Sequence, residues 1–278
     1  MAGIRAGVPH GAVAARKPHA RTSRGKERMV IVLYNAKTLA GYKLHSIDGE
    51  VGTVKEFYFD DHHWTVRYLV ADTGNWLTGR KVLISPYAMS MVNKGKRYIN
   101  VDLTQKQIEE SPSLDTDKPV SQQFEESYNR YYGFPMYWNG PFVWGAYPFI
   151  ERKRIKLTEV NSNGKSWNPN LRSTSVVSGY NIQASDGEIG HVEDFVMDDA
   201  TWGIRYLVVD TVNWWLGEKV LISPRWIERV SWEMSKVFIN LSREAIKQSP
   251  EYTDESQLTR EYEIKLHQHY KRQAYWSD

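Results

Sequence analysis

A block running from Gly41 to Pro86 is written twice in this chain, and that repeat limits the fold more than any other feature. Gly41-Tyr42, Asp48-Gly49-Glu50-Val51-Gly52, Trp64, Arg67-Tyr68-Leu69-Val70, Asp72-Thr73, Asn75-Trp76 and Lys81 to Pro86 return as Gly179-Tyr180, Asp186-Gly187-Glu188-Ile189-Gly190, Trp202, Arg205-Tyr206-Leu207-Val208, Asp210-Thr211, Asn213-Trp214 and Lys219 to Pro224. The offset is constant across the block (179 − 41 = 138; 224 − 86 = 138). One offset held throughout means a duplicated folding unit, so function has to be sought in two similar bodies. At 278 residues there is room for two units that each bury a core.

Each copy reads as short strands followed by helix. Asp48-Gly49 between apolar runs is a tight-turn dipeptide, since glycine accepts the positive φ of hairpin turns, and Gly49, Gly52, Gly187 and Gly190 are the expected turn glycines. Val66 to Ala71 is apolar at both parities, as in a strand covered on both faces. Lys81 to Ser85 is a further strand stopped by Pro86, and Tyr98 to Val101 is another. Strands of this number and spacing predict a small closed or partly open barrel. Thr104 with Gln107 three residues later has capping-box spacing, and Pro112 ends the helix it opens; Ser242 and Pro250 repeat the pattern. Phe124, Tyr128, Tyr131 and Tyr132, matched by Tyr262, Leu266, His269 and Tyr270, form the packing ridge of a second helix in each copy.

The rest of the chain divides as follows. Residues 1–28 are a basic disordered tail, with seven Lys or Arg against one Glu (7 − 1 = +6), or a start assigned too far upstream of Met29. The remainder carries 29 − 32 = −3, which argues against a nucleic-acid surface built into the folded part. Residues 29–132 form the first unit, 133–174 an aromatic and then polar linker, and 175–278 the second unit. The aromatic part, Gly133 to Phe149, is expected to lie on the two bodies it joins. No run of about 18 apolar residues is present to span a bilayer.

Residues with chemistry give little sign of an active site. The chain has no cysteine, which excludes thiolate nucleophiles and Cys-ligated metals. His62-His63 beside Asp60-Asp61 has metal-ligand character, but Ala200-Thr201 replaces the pair in the second copy. Gly164-Lys165-Ser166 lacks the upstream glycine of a phosphate loop, and the acids around Asp48 lack calcium-loop alternation. Ser85-Pro86 and Ser223-Pro224 lack a nucleophile elbow. No catalytic residue, metal or cofactor is therefore assigned. Arg67 and Arg205 stand in strands that read as buried, so each needs an acid nearby; Asp72 and Asp210, five residues on, are the expected partners in a structural ion pair. Trp76 and Leu77, with Trp214 and Trp215 in the second copy, sit in Gly-containing loops and are the candidate partner-binding residues.

Taken in order, Gly-Tyr, Asp-Gly-Glu-x-Gly, Arg-Tyr-Leu-Val and Lys-Val-Leu-Ile-Ser-Pro resemble the PRC-barrel family, over about residues 37–110 and 175–248. That family includes the cytoplasmic barrel of the photosynthetic reaction centre H subunit and the C-terminal barrel of the ribosome maturation factor. The resemblance implies a mainly β fold with appended helices: two tandem small barrels in a pseudo-twofold arrangement. It also implies a structural and docking module without catalytic residues. The leading expectation is a non-enzymatic cytoplasmic scaffold for an unidentified protein partner, with a second copy of the chain and nucleic acid as further candidates. The alternatives are an RNA- or ribosome-associated factor, and a small-molecule, metal or quinone-linked binding protein.

Overall fold

A computed structural model describes residues 31–77, 80–112, 120, 122–134, 171–211 and 218–277. The basic tail, linker residues 135–170, and Trp214 and Trp215 lie outside the described residues.

The first copy contributes β1 (Leu33–Asn35), α1 (Ala36–Leu39), β2 (Lys43–His45), β3 (Glu50–Asp60), β4 (Thr65–Asp72), β5 (Val82–Ile84), β6 (Met89–Asn93), β7 (Tyr98–Val101), α2 (Gln105–Glu109) and α3 (Gln122–Tyr132). The second follows the same order: β8 (Leu171–Ser173), α4 (Thr174–Val177), β9 (Asn181–Ala184), β10 (Gly187–Asp198), β11 (Ile204–Asp210), β12 (Lys219–Ile222), β13 (Ile227–Ser231), β14 (Lys236–Ile239), α5 (Arg243–Lys247) and α6 (Arg260–His269). The main path of one sheet runs β5-β4-β3-β2-β7-β6 and that of the other β12-β11-β10-β9-β14-β13. β2 and β7 pair in parallel, as do β9 and β14, and the other ladders are antiparallel. β4, apolar at both parities, lies between β3 and β5 and is buried along nearly its whole length.

The first strand of each copy leaves its own sheet. β1 pairs with β10, Leu33 opposite Asp198, while β8 pairs with β3, Leu171 opposite Asp60. Both registers carry the sequence offset, so the exchange is reciprocal about a pseudo-twofold axis. The unit boundaries at 132 and 175 therefore do not follow the sheets. Residues 171–174, read from the sequence as the end of a polar linker, are a strand of the first barrel and the start of α4.

The axis passes near Trp64 and Trp202. The Val66 amide donates to the Trp202 carbonyl at 2.9 Å, and the Ile204 amide donates to the Trp64 carbonyl at 2.7 Å. Both tryptophans have positive φ, 52° and 59°, an uncommon conformation for a bulky residue that packing must hold in place. Phe59 sits 5.3 Å from Trp64 and 5.6 Å from Phe195, and Phe57 lies 6.2 Å from Trp202. One apolar cluster thus runs through both barrels.

Local signals explain the helices. Thr104 and Gln107 form the reciprocal capping box at α2, and Ser242 caps α5 by accepting from the Ala245 amide. Asp48 accepts from the Gln105 amide at 2.7 Å and Asp186 from the Arg243 amide at 2.8 Å, so the acid of each Asp-Gly turn ties the following helix to the barrel. The ridge of α3 is carried by Tyr128, whose hydroxyl donates to the Leu83 carbonyl and accepts from the Ser85 amide, while Tyr131 is exposed. On α6 the buried residues are Glu263, Leu266 and His267, two positions before the histidine that the aromatic stripe selects.

Three of the four expected turn glycines have positive φ, Gly187 at 153° among them. Gly49 does not have positive φ. Gly52 and Gly190 do, at 126° and 146°, and a Cβ there would stand 2.1 Å from the Asp72 carbonyl oxygen and 1.9 Å from that of Asp210. They permit close backbone approach between long strands. Gly52→Ala or Gly190→Ala is expected to destabilise the protein by about 3 kcal/mol in urea unfolding. Gly49→Ala, whose Cβ would meet only the Gln105 side chain, should cost far less.

Candidate functional site

One set of ionisable groups shared by the two copies lies where β3 turns into β4 and β10 into β11. Arg67 is 1 % exposed and its guanidinium donates to Asp60 at 2.9 Å. In the second copy Arg205 donates to Asp198 at 2.7 Å. Each aspartate also closes its hairpin: Asp60 accepts from the His62 amide at 2.8 Å, and Asp198 from the amides of Ala200 and Thr201. His63 completes the first cluster, its Nδ1 lying 2.7 Å from Asp60, and Thr201 takes that place in the second, donating to Asp198 at 2.7 Å. Burial raises the Asp60 carboxyl, but the bonds and charges of His63 and Arg67 outweigh it and hold the group well below the usual carboxylate range.

The partners expected from the sequence were Asp72 and Asp210, and the geometry corrects both. Positions five apart on a strand face opposite sides of the sheet and stand roughly 16 Å apart. Asp72 instead accepts from the Gly74 amide at 3.0 Å, closing the next turn. Asp210 stands at the far end of β11, opposite Lys219. The missed residues, Asp60 and Asp198, carried a usable signal: an Asp-Asp pair seven residues before the buried arginine in both copies.

Acids at equivalent positions also hold the exchanged segments. On one side Asp194 accepts from the Lys37 amide at 3.1 Å and Asp199 from the Val32 amide at 3.0 Å. On the other, Glu56 accepts from the hydroxyls of Ser173 and Ser175, and Asp61 from the Arg172 guanidinium at 2.9 Å. A groove of about 380 Å³ opens beside Asp194, lined by Asn35, Lys94, Glu193, Lys219 and Tyr252 among others. Its charges are largely matched: Lys94 pairs with Glu255 and Lys219 with Glu193, both at 2.8 Å, and Tyr252 donates to Asn35 at 2.8 Å. Burial pushes the Asp194 carboxyl up to about 6, partly opposed by the amides of Phe195 and Lys37. Among the described residues no cluster of three or more His, Cys, Asp or Glu is arranged to hold a metal ion.

The helix contact has a polar core in both copies. Tyr68 donates to Glu125 on α3 at 3.1 Å, and Tyr206 donates to Glu263 on α6 at 2.9 Å. Both carboxyls are buried, and burial raises that of Glu263. Sequence reasoning passed over these acids because the aromatic stripe beside them claimed the helix face.

Of the loop residues, Trp76 is 37 % exposed in the turn after β4, with its amide donating to the Thr73 carbonyl at 3.2 Å. Leu77 turns inward and packs against the core. Trp214 and Trp215 fall outside the described residues.

Residues 32–108 match the family model of the PRC-barrel domain. The chain carries a PRC-barrel domain. The second copy, with the same strand order at the same offset, makes the arrangement a tandem of PRC-barrels. The matched span begins with β1, so the contiguous PRC-barrel unit includes the strand that sits in the other sheet. No curated protein matches the chain.

Two stability measurements test these assignments. Asp60→Asn should cost about 3–5 kcal/mol, since it leaves Arg67 buried without its charge partner, whereas Asp72→Asn should cost under about 1 kcal/mol. The Asp60 contribution is present above the unfolded carboxyl value of about 4 and is lost as pH falls towards the lower folded value. Asp194 has the opposite sign: its folded value lies above the unfolded one, so its contribution is greatest below about pH 4 and is lost as pH rises through 6. Comparing wild type with Asp194→Asn, the melting-temperature difference should move against the wild type between pH 4.5 and 7.5. A difference independent of pH would remove Asp194 as a titrating group.

Proposed function

We propose that this tandem PRC-barrel protein is a non-enzymatic interaction module of the cytoplasm that binds a protein partner through the turn following β4 and its counterpart in the second barrel. The observation that carries this reading is Trp76, a large aromatic held partly exposed on a turn whose base is closed by the Asp72–Gly74 bond while neighbouring Leu77 anchors the turn in the core. Exposed aromatics on pre-organised turns act as interface anchors. Trp214 and Trp215 join the proposal through the sequence repeat alone. The buried acids and arginines support it too, because their ties to turns, exchanged strands and helices give each a structural role. No described helix is long and apolar enough to cross a membrane.

An RNA-associated role is favoured by one asymmetry. The turn between β6 and β7 carries exposed Lys94, Lys96 and Arg97, where the second barrel has Trp232, Met234 and Ser235. Co-sedimentation with ribosomal subunits at two salt concentrations separates the readings, since phosphate contacts weaken steeply as salt rises.

For the leading reading, partner recovery from native extract should fall at least tenfold with Trp76→Ala and Trp214→Ala combined, at unchanged melting temperature. Unchanged recovery would take the tryptophan turns out of the proposal.

A further inference from the structure

The reciprocal exchange leaves each barrel with a strand seat that its own sequence does not fill. β2 pairs with β3 only between Glu50 and Thr53, so the same edge of β3 from Tyr58 to Asp60 is covered by β8 alone. The edge of β10 from Val196 to Asp198 is likewise covered by β1 alone. A strand edge that takes its partner from outside its own folding unit can take the same strand from another chain.

We propose that each seat is a docking site for a second copy of this chain, whose β1–α1 or β8–α4 segment enters in trans to give a strand-exchanged dimer. Three features of the molecule carry this. The donor is always the leading strand of a contiguous PRC-barrel unit, so exchange between units is already the mode of assembly. The two halves are joined through 36 residues (171 − 134 − 1 = 36), and the entropy of closing a loop of that length varies only slowly with length, so closure within one chain and exchange between two differ mainly in concentration. The contacts at the seats also specify which halves meet.

Arg172 pairs with Asp61 of the first barrel and stacks over Trp232 of the second at 4.0 Å; Asn35 accepts from Tyr252, and Lys37 reaches Glu193 at 3.3 Å. At the positions matching Arg172 and Asn35 stand Tyr34 and Ser173, which cannot reproduce these bonds. The dimer therefore joins the first half of each chain to the second half of the other, twice, in closed twofold symmetry. This inference does not rest on the tryptophan turns.

The absence of native cysteine makes a direct test available. Tyr58 and Ser173 face each other across one seat and Tyr34 and Met197 across the other. A chain carrying both Tyr58→Cys and Ser173→Cys should close an internal disulfide, which calibrates the geometry. Chains carrying one substitution each, unfolded, mixed and refolded together, should then form a disulfide-linked mixed dimer. Its yield should rise with protein concentration, exceed that of either variant alone and vanish under reductant. The Tyr34→Cys and Met197→Cys pair reads the second seat in the same way. Mixed dimer no more abundant than in the single-variant controls, at both seats and at the highest concentration, would overturn the proposal.

Discussion

A short stretch of exposed strand edge governs this molecule. On one edge β3 and β10 run well past β2 and β9, and the amide and carbonyl groups that this leaves at their ends need partners once that region is enclosed. The chain meets the need by sending the first strand of each copy across to the other. The backbone bonds of β1 and β8, the paired bonds between Trp64 and Trp202, and the aromatic cluster around Phe59 and Phe195 follow from that crossing. Two PRC-barrels joined in this way share one apolar core, and neither half keeps a complete sheet by itself.

Charge is arranged around the same seam. Buried carboxylates are costly unless bonded, and here they are used where the backbone changes direction or changes barrel. Asp60 and Asp198 close hairpins while neutralising an arginine; Asp194, with the half-buried Glu56 at the equivalent position, receives the incoming segments; Glu125 and Glu263 accept a tyrosine hydroxyl under the helices. The copies keep these positions while differing at their neighbours, with His63 opposite Thr201 in role and Arg172 opposite Tyr34. The core positions repeat, and the specificity of the seam comes from the positions that do not.

Much of the fold was legible because its signals are local. The constant offset, the apolar run of β4, the Thr104 capping box and the Ser-Pro strand ends need only neighbouring residues to be read. The Arg67 partner was not legible in this way. A search forward along the strand lands on Asp72, but partners in a hairpin lie across the turn, and only the register of β3 on β4 brings Asp60 alongside. The first Asp-Gly turn misled for a related reason: a positive φ was expected at Gly49 as at Gly187, which has it, yet the close approach of strands occurs at Gly52 and Gly190. Of the candidate surface, Trp76 lies outward and Leu77 inward, a distinction between adjacent loop residues that composition does not encode.

By itself the sequence determined that two equivalent β-rich units exist, where most of their strands and helix caps lie, and that no cysteine chemistry is available, because each of these depends on residue identity and short-range geometry. Only the tertiary structure decided which strand belongs to which sheet, which acid meets which arginine, and where a groove opens beside Asp194. Those outcomes depend on contacts between residues far apart in the chain, and a strand three residues long pairs with equal local propensity in either barrel until the side chains around its seat choose one.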